Sequence, residues 1–310
     1  PTLHGNGHYP EDGGDKVLVN KFIYHFVDPK NYDVIVFEPP KGNHLYIKRL
    51  IGLPGQMIQI VDGDIFLDGK ILRKSPEVED ALLYPLYDSS LEKGILDHFG
   101  EFNNKDAWSI SENWRIAQNH FEINNANGNL KFELPIDMRI ESHKPTQMQM
   151  ESGLFASITR STTWNQHTDE EYKQLKVGDI QVNGKLLLKE LEGLWQIEIK
   201  ENEDIFKFIL NIKDKKAEVY INAVKVWDSS VELSTNNWIE FSFSNVDDKL
   251  AGKIGNIFFD YNFINEKLAL MTESNGIQFQ AKSFSVKMKD IIVRRDVNYI
   301  KSRYNVMYHT

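Results

Sequence analysis

"LWQIEIKE" (Leu194–Glu201) and "IFKFILNIK" (Ile205–Lys213) alternate apolar and polar residues at period two. That is the mark of a strand with one face in a core and one in water. The same texture spreads outward on both sides. "AEVYINAVKVW" (217–227), "WIEFSFSNV" (238–246) and "IGNIFFDYNF" (254–263) follow, and "GIQFQAKSFSVKMKDIIVRRD" (276–296) supplies the last strands. Upstream, "DIQVNGKLLLKEL" (179–191) reads as a hairpin turning on Asn183-Gly184. From about Trp108 to Asp296 strands recur at this spacing with few helical patterns, which predicts an antiparallel β-sandwich of the jelly-roll type.

The N-terminal stretch is β-rich in shorter pieces. Asp15 to Phe22 alternates, with Val17 and Val19 on one side and Lys16, Leu18 and Asn20 on the other. "DVIVFEPP" (33–40) is a buried-type strand stopped by two prolines, and "HLYIKRLIGLPG" (44–55) ends in a Pro-Gly turn. "MIQIVDGDIFLDGKILRK" (57–74) carries two Asp-Gly pairs, Asp62-Gly63 and Asp68-Gly69, each flanked by β formers, which predicts two hairpins. "SPEVEDALLYPLYDSS" (75–90) reads as irregular.

Composition narrows the classes. The chain has 310 residues, 41% hydrophobic and 26% charged, enough for two cores. It contains no apolar run long enough to span a bilayer. A net charge of −9 argues against nucleic acid as a partner. No cysteine is present, so disulfides and Cys-based zinc sites are excluded. His4 and His8 lie four apart but in a Gly-rich loop, so no metal site is assigned to them. Asn245, Asp247 and Asp248 offer hard oxygen ligands, yet read first as a turn. Asp169, Glu170 and Glu171 read as a solvated turn or helix start. Of the six tryptophans, Trp108, Trp114, Trp164, Trp195, Trp227 and Trp238, most read as packing between sheets, and the positions of Trp195, Trp227 and Trp238 at strand ends or turns leave their exposure open.

One lysine stands out chemically. In "YIKRLIGLPG" (46–55), alternation puts Leu45, Ile47, Arg49 and Ile51 on one face and Tyr46, Lys48 and Leu50 on the other. Lys48 thus stands between two apolar neighbours. A lysine desolvated in that way loses its proton more easily and can deprotonate a serine hydroxyl. From spacing alone the ordinary reading is an exposed strand lysine.

The order of motifs adds to this. "PTL" (1–3), "GDKVLV" (14–19), "DVIVF" (33–37), "YIKRLIGLPG" (46–55) and "GDIFLDGK" (63–70) closely resemble bacterial type I signal peptidases, over residues 1–74. The resemblance implies a Ser–Lys dyad in which Lys48 is the general base. Pro1, Thr2 and Leu3 match the end of a Ser-Met-x-Pro-Thr-Leu box, whose nucleophilic serine would lie three positions before Pro1. Leu3, Tyr46 and Ile47 match the walls of pockets for small substrate side chains. Gly14 and Asp15 match a structural box. Arg49, Gly52, Pro54 and Gly55 match the rest of the lysine box. No metal and no organic cofactor is implied. Two departures from the pattern are visible. Gln56 stands where the family usually has an acidic residue, and a closing Gly-Asp-Asn-Ser box does not occur before Thr310, so both ends are expected to be cut.

"FSNVDDKLAGKIGNIFFDYNF" (243–263), "IIVRRDVNY" (291–299) and "LRKSPEVEDALLYPLYD" (72–88) resemble, more loosely, a subgroup with a laminin-G or concanavalin-like sandwich inserted in the peptidase. The expected fold is all-β: a signal-peptidase-type β core over residues 1–84, an inserted sandwich over 85–300, and a return to the core over 301–310. The expected function is removal of signal peptides from exported preproteins, at the outer face of the cytoplasmic membrane, through an N-terminal anchor absent from this chain. The alternative is a degenerate peptidase whose sandwich binds glycan or protein. A self-cleaving repressor-type Ser–Lys protease shares the β core, but Pro54-Gly55 and the long insert speak against it.

Overall fold

The computed structural model describes residues 17–39, 45–61, 63–90, 107–111, 113–117, 120–132, 178–264, 276–297 and 299. Val17 to Asn20, expected in a strand from Asp15, form no regular element. The described residues supply no partner strand there. Instead the Phe22 N–H donates to Asn20 Oδ1 at 2.9 Å, and a 3-10 turn spans Ile23–His25.

Five short strands follow: β1 (Val34–Phe37), β2 (Tyr46–Arg49), β3 (Ile58–Val61), β4 (Asp64–Leu67) and β5 (Lys70–Ile71). β1 and β2 form an antiparallel ribbon, and β3, β4 and β5 a three-stranded meander. The second hairpin turns on Asp68-Gly69, as its Asp-Gly pair predicts, and the first turns between Val61 and Asp64, with Asp62 outside the described residues. Val61 lies opposite Asp64, which leaves two residues for the first loop. Asp68 and Gly69 have φ of 50° and 79°, the left-handed pair that a tight hairpin requires. Tyr32, Ile65 and Leu67 form a small core here, with Ile51, Leu72, Val78, Leu82 and Tyr299 packed on it.

The segment read as irregular contains helix α1 (Pro76–Leu82) and strand β6 (Tyr84–Asp88). Ser75 caps the helix, its Oγ accepting the Val78 N–H at 3.4 Å, and Pro76 supplies a pre-set φ at the first position.

The rest is one large sheet folded onto itself. Its remaining strands are β7 (Trp108–Ile110), β8 (Trp114–Ala117), β9 (His120–Phe132), β10 (Ile180–Leu188), β11 (Leu194–Glu201), β12 (Asp204–Asn211), β13 (Lys216–Ile221), β14 (Val224–Ser230), β15 (Trp238–Val246), β16 (Lys249–Ile254), β17 (Ile257–Asn262) and β18 (Gly276–Arg295). The hydrogen-bonded path runs β14-β13-β12-β11-β18-β10-β15-β16-β17, and β6 and β9 join it through β18. β18 binds the two layers together. Its first part pairs with β11 and its second part with β10, while β9 flanks much of its length. Ser283 and Asp290, with φ of 58° and 52°, fall where its register shifts.

Aromatic rings fill the space between layers. Trp195 of β11 meets Phe241 of β15 at 4.8 Å and Phe279 of β18 at 6.0 Å. The sheet's two ends approach through Trp227 and Phe259, whose ring centroids are 4.9 Å apart. The fold is therefore mostly β, with a large antiparallel sandwich, as expected. Trp195 is one of the packing tryptophans. It is fully buried, because its position on β11 points into the core. Trp238 is partly exposed, with the Lys289 ammonium 4.5 Å above its ring.

The Asn183-Gly184 hairpin is not formed, and β10 runs straight through it. Asn183 is paired on both sides, with Ser242 and with Ile292. Gly184 is there because a Cβ would stand 2.7 Å from the Phe241 ring. Two apparent single strands instead fold back: residues 217–227 on Asn222-Ala223, and residues 254–263 on Gly255-Asn256.

Candidate active site

β2 places the lysine box. Lys48 lies opposite Ile35 of β1. Tyr46 and Lys48 are exposed, while Ile47 and Arg49 are half-buried. The described residues give Lys48 no apolar enclosure, so the desolvation expected from its neighbours is not provided by Tyr46 and Leu50. The Tyr46 ring stacks on Phe37 at 6.1 Å, and Ile47 lies opposite Val36. Beyond its pairing with β1, β2 has a second edge that no described strand occupies.

The rest of the box has structural explanations. Arg49 Nη1 donates to the Tyr32 carbonyl at 2.9 Å, which holds the ribbon against the segment before β1. A Cβ on Gly52 would stand 2.8 Å from Ile58 Cγ1. Pro54 and Gly55 make a tight turn closed by Gln56 N–H to Leu53 O at 3.1 Å, with Gly55 at φ 87°. Gln56, the departure from the family pattern, supplies an acceptor all the same. Its Oε1 takes the Leu53 N–H at 2.7 Å and Asn31 Nδ2 at 3.3 Å. Pro1, Thr2, Leu3, Gly14 and Asp15 lie outside the described residues, as do His4, His8, Trp164 and residues 169–171.

A second cluster is invisible in the sequence. Lys74, just after β5, is buried, and its Nζ donates to Asp247 Oδ1 at 2.6 Å and Asp296 Oδ2 at 2.7 Å. Asp247 sits in the β15–β16 turn, where Asp247 and Asp248 have φ of 51° and 54°. The turn reading therefore holds for Asp247 and Asp248, whereas Asn245 belongs to β15, its Nδ2 donating to Glu201 Oε2 at 2.7 Å. Arg73 grips the same turn, donating to the carbonyls of Asp247 at 3.1 Å, Asp248 at 3.3 Å and Phe263 at 2.9 Å. The chain then comes back to the first unit, where the Tyr299 N–H donates to Gly63 O at 2.8 Å.

Asp64 of β4 and Asp179 just before β10 complete the cluster. Carboxylate oxygens of Asp64, Asp179, Asp247 and Asp296 all lie within 4.8 Å of one another. Four such groups could hold a metal ion, but the cluster already contains a cation, the Lys74 ammonium. Burial, and then the charge of Asp247, raises Asp64 well above the usual carboxylate range. Burial and the charge of Asp64 do the same to Asp179. The two side chains hydrogen-bond each other, which requires one of them to hold a proton. Burial pushes Asp296 up to about 6 against the pull of Lys74. For Lys74 itself burial would lower the pKa, but Asp296 and Asp247 outweigh it and hold the ammonium well above the usual range.

Comparison with known proteins bears on the first unit. Residues 8–120 match the family model "Signal peptidase, peptidase S26". The match therefore runs past α1 into strands of the sandwich. Signal peptidase I of Leptolyngbya laminosa is 38% identical over 83 residues, covering 24% of this chain and 37% of that protein. Signal peptidase I V of Bacillus subtilis is 31% identical over 99 residues, covering 32% and 53%. The first curated relatives are thus spanned over only 32% to 53% of their own length. Among solved structures, a Bacillus subtilis protein with a galectin-like fold is 8% identical with a TM-score of 0.42, over 70% of this chain and 98% of that one. Among the described residues no helix is long and apolar enough to cross a membrane. The chain joins an N-terminal region similar to signal peptidases to a large β-sandwich.

Proposed function

We propose that this chain is the base-bearing part of a membrane-anchored serine endopeptidase that removes signal peptides from exported preproteins. The observation that carries the reading is the placement of Lys48 on β2, beside a strand edge that no described strand occupies. An extended peptide can add to such an edge through its main chain. Its scissile carbonyl would then lie near Lys48, and Tyr46 and Ile47 would border the side chains next to the cut. The serine belongs to residues preceding Pro1. Once the bound substrate and the residues around the serine cover Lys48 and leave it as the neutral amine, the serine Oγ attacks the carbonyl carbon, its proton passes to Lys48 Nζ, and the carbonyl π electrons move to oxygen. The leaving amine then takes the proton from Lys48, and water hydrolyses the acyl-enzyme. Leu18, Phe22, Phe26, Leu45 and Met57 are all at least 69% exposed among the described residues, an apolar surface that suits placement against the outer face of the cytoplasmic membrane. The test is full-length protein with a preprotein carrying alanines beside the cut. Mass spectrometry should find one cleavage, after a small residue. An intact preprotein under conditions where a known signal peptidase cuts it would refute the reading.

A second reading has its own support. Lys48 is exposed, and the sandwich offers an open groove with an exposed phenylalanine, Phe258. In this reading the peptidase unit is degenerate and the sandwich is a module that binds glycan or protein.

A further inference from the structure

A groove of about 340 Å³ opens over β10, β15, β16 and β17 beside α1. Strand register shows how it is built. Gln181, Ser244, Ala251 and Asp260 lie opposite one another in one row across the four strands, and Ser242, Lys253 and Phe258 form the next row. Val182, Phe243 and Phe259 alternate with them and point into the core, so these rows stand on the sheet's outer face. Helix α1 walls one side. Glu79 Oε2 meets Lys249 Nζ at 2.8 Å, and Asp80 Oδ1 meets Arg294 Nη1 at 2.8 Å.

The lining selects a ligand class. Lys249 is neutralised by Glu79, Asp80 by Arg294, and Lys253 by Glu240 at 2.7 Å. A phosphate or an acidic peptide would have to break these pairs. A lipid chain would need a continuous apolar floor, which Ser242, Lys253 and Asp260 interrupt. What is offered is the Phe258 ring, 71% exposed, together with the Asp260 carboxylate, the Gln181 amide and the Ser242 hydroxyl. A pyranose matches that set. Its C–H face is weakly positive and suits the negative face of an aromatic ring. Its hydroxyls both donate and accept. The volume suits one or two sugar rings. We propose that this groove binds a neutral oligosaccharide, with Phe258 stacked on one ring and Asp260, Gln181 and Ser242 bonding its hydroxyls. The proposal rests on reading the sandwich as a binding module and does not require the peptidase unit to be inactive.

The test titrates full-length protein, by calorimetry, with unmodified neutral di- to tetrasaccharides of gluco, galacto, manno and xylo configuration, and with sialylated and sulfated counterparts. At least one neutral saccharide should bind with a Kd below about 10 mM. Phe258→Ala and Asp260→Asn should each weaken that binding by about tenfold or more. Trp238→Ala, which changes an exposed aromatic outside the groove, should not. Absence of neutral saccharide binding, binding of charged saccharides alone, or unchanged affinity in both groove variants would overturn the proposal. Both altered side chains are exposed, so the variants should keep the fold, which circular dichroism checks. Preprotein cleavage by the same sample is a separate readout: cleavage would sink the degenerate-peptidase reading and leave the groove untouched.

Discussion

Lys74 closes the stretch that reads as two hairpins, yet its ammonium ends between two carboxylates, one in the β15–β16 turn and one directly after β18. The partners lie 173 and 222 residues away in sequence, and no local pattern links them. Lys48 is the opposite case. Its box was legible from its residues, and the structure gives Arg49, Gly52, Pro54 and Gly55 each a local reason. What the spacing could not show is enclosure, which depends on neighbours distant in the chain. The buried carboxyls lead to a pH prediction. Asp64 and Asp179 share a proton in the folded state that they release when unfolded, so the native state binds more protons. Stability then falls as pH rises from about 4 through their raised folded values. Asp296 adds the same sign up to about 6. Lys74 does not change the slope here, because its contribution is complete below the ordinary lysine pKa and is lost only at higher pH. The thermal midpoint should therefore fall as pH rises from about 4 to about 6, and Asp179→Asn should flatten that slope. A midpoint that rises through this window, or a slope indifferent to the substitution, would contradict the shared-proton account.

At the scale of elements, period-two alternation located most sandwich strands but not their turns. Asp68-Gly69 turns because both residues are free to take positive φ at a loop. Asn183-Gly184 does not, because pairing on both sides and a tight fit against Phe241 make the glycine a packing residue. The same dipeptide signal thus serves two purposes that only the third dimension separates. Helix α1 was legible in principle. Ser75 followed by Pro76, with Glu77 and Glu79 in the first turn, is a helix start written in the sequence. The role given to Gly184 makes a prediction. Gly184→Ala should cost about 1–3 kcal/mol through overpacking against Phe241 and Ile291. Urea unfolding measures it, and a midpoint equal to that of the wild type would show that the strand can yield.

At the scale of the molecule, two cores differ in completeness. The sandwich buries a continuous cluster from Leu86 to Val293, whereas the first unit closes only around Tyr32, Ile65 and Leu67 and leaves much of residues 17–58 to solvent among the described residues. The chain crosses between them at Arg73-Lys74 and comes back at Asp296 and Tyr299, and the buried ion cluster sits at that crossing. This arrangement suits a peptidase unit that carries an accessory domain. In the function proposed above, Lys48 is its base. The most direct measurement is kcat/KM of the full-length protein on a preprotein, compared with Lys48→Ala. Lys48 is exposed, so the variant should keep its circular dichroism spectrum. The rate should fall by roughly 100- to 10 000-fold, the usual share of a general base. A folded variant that still cleaves within about tenfold of the wild type would contradict the assignment.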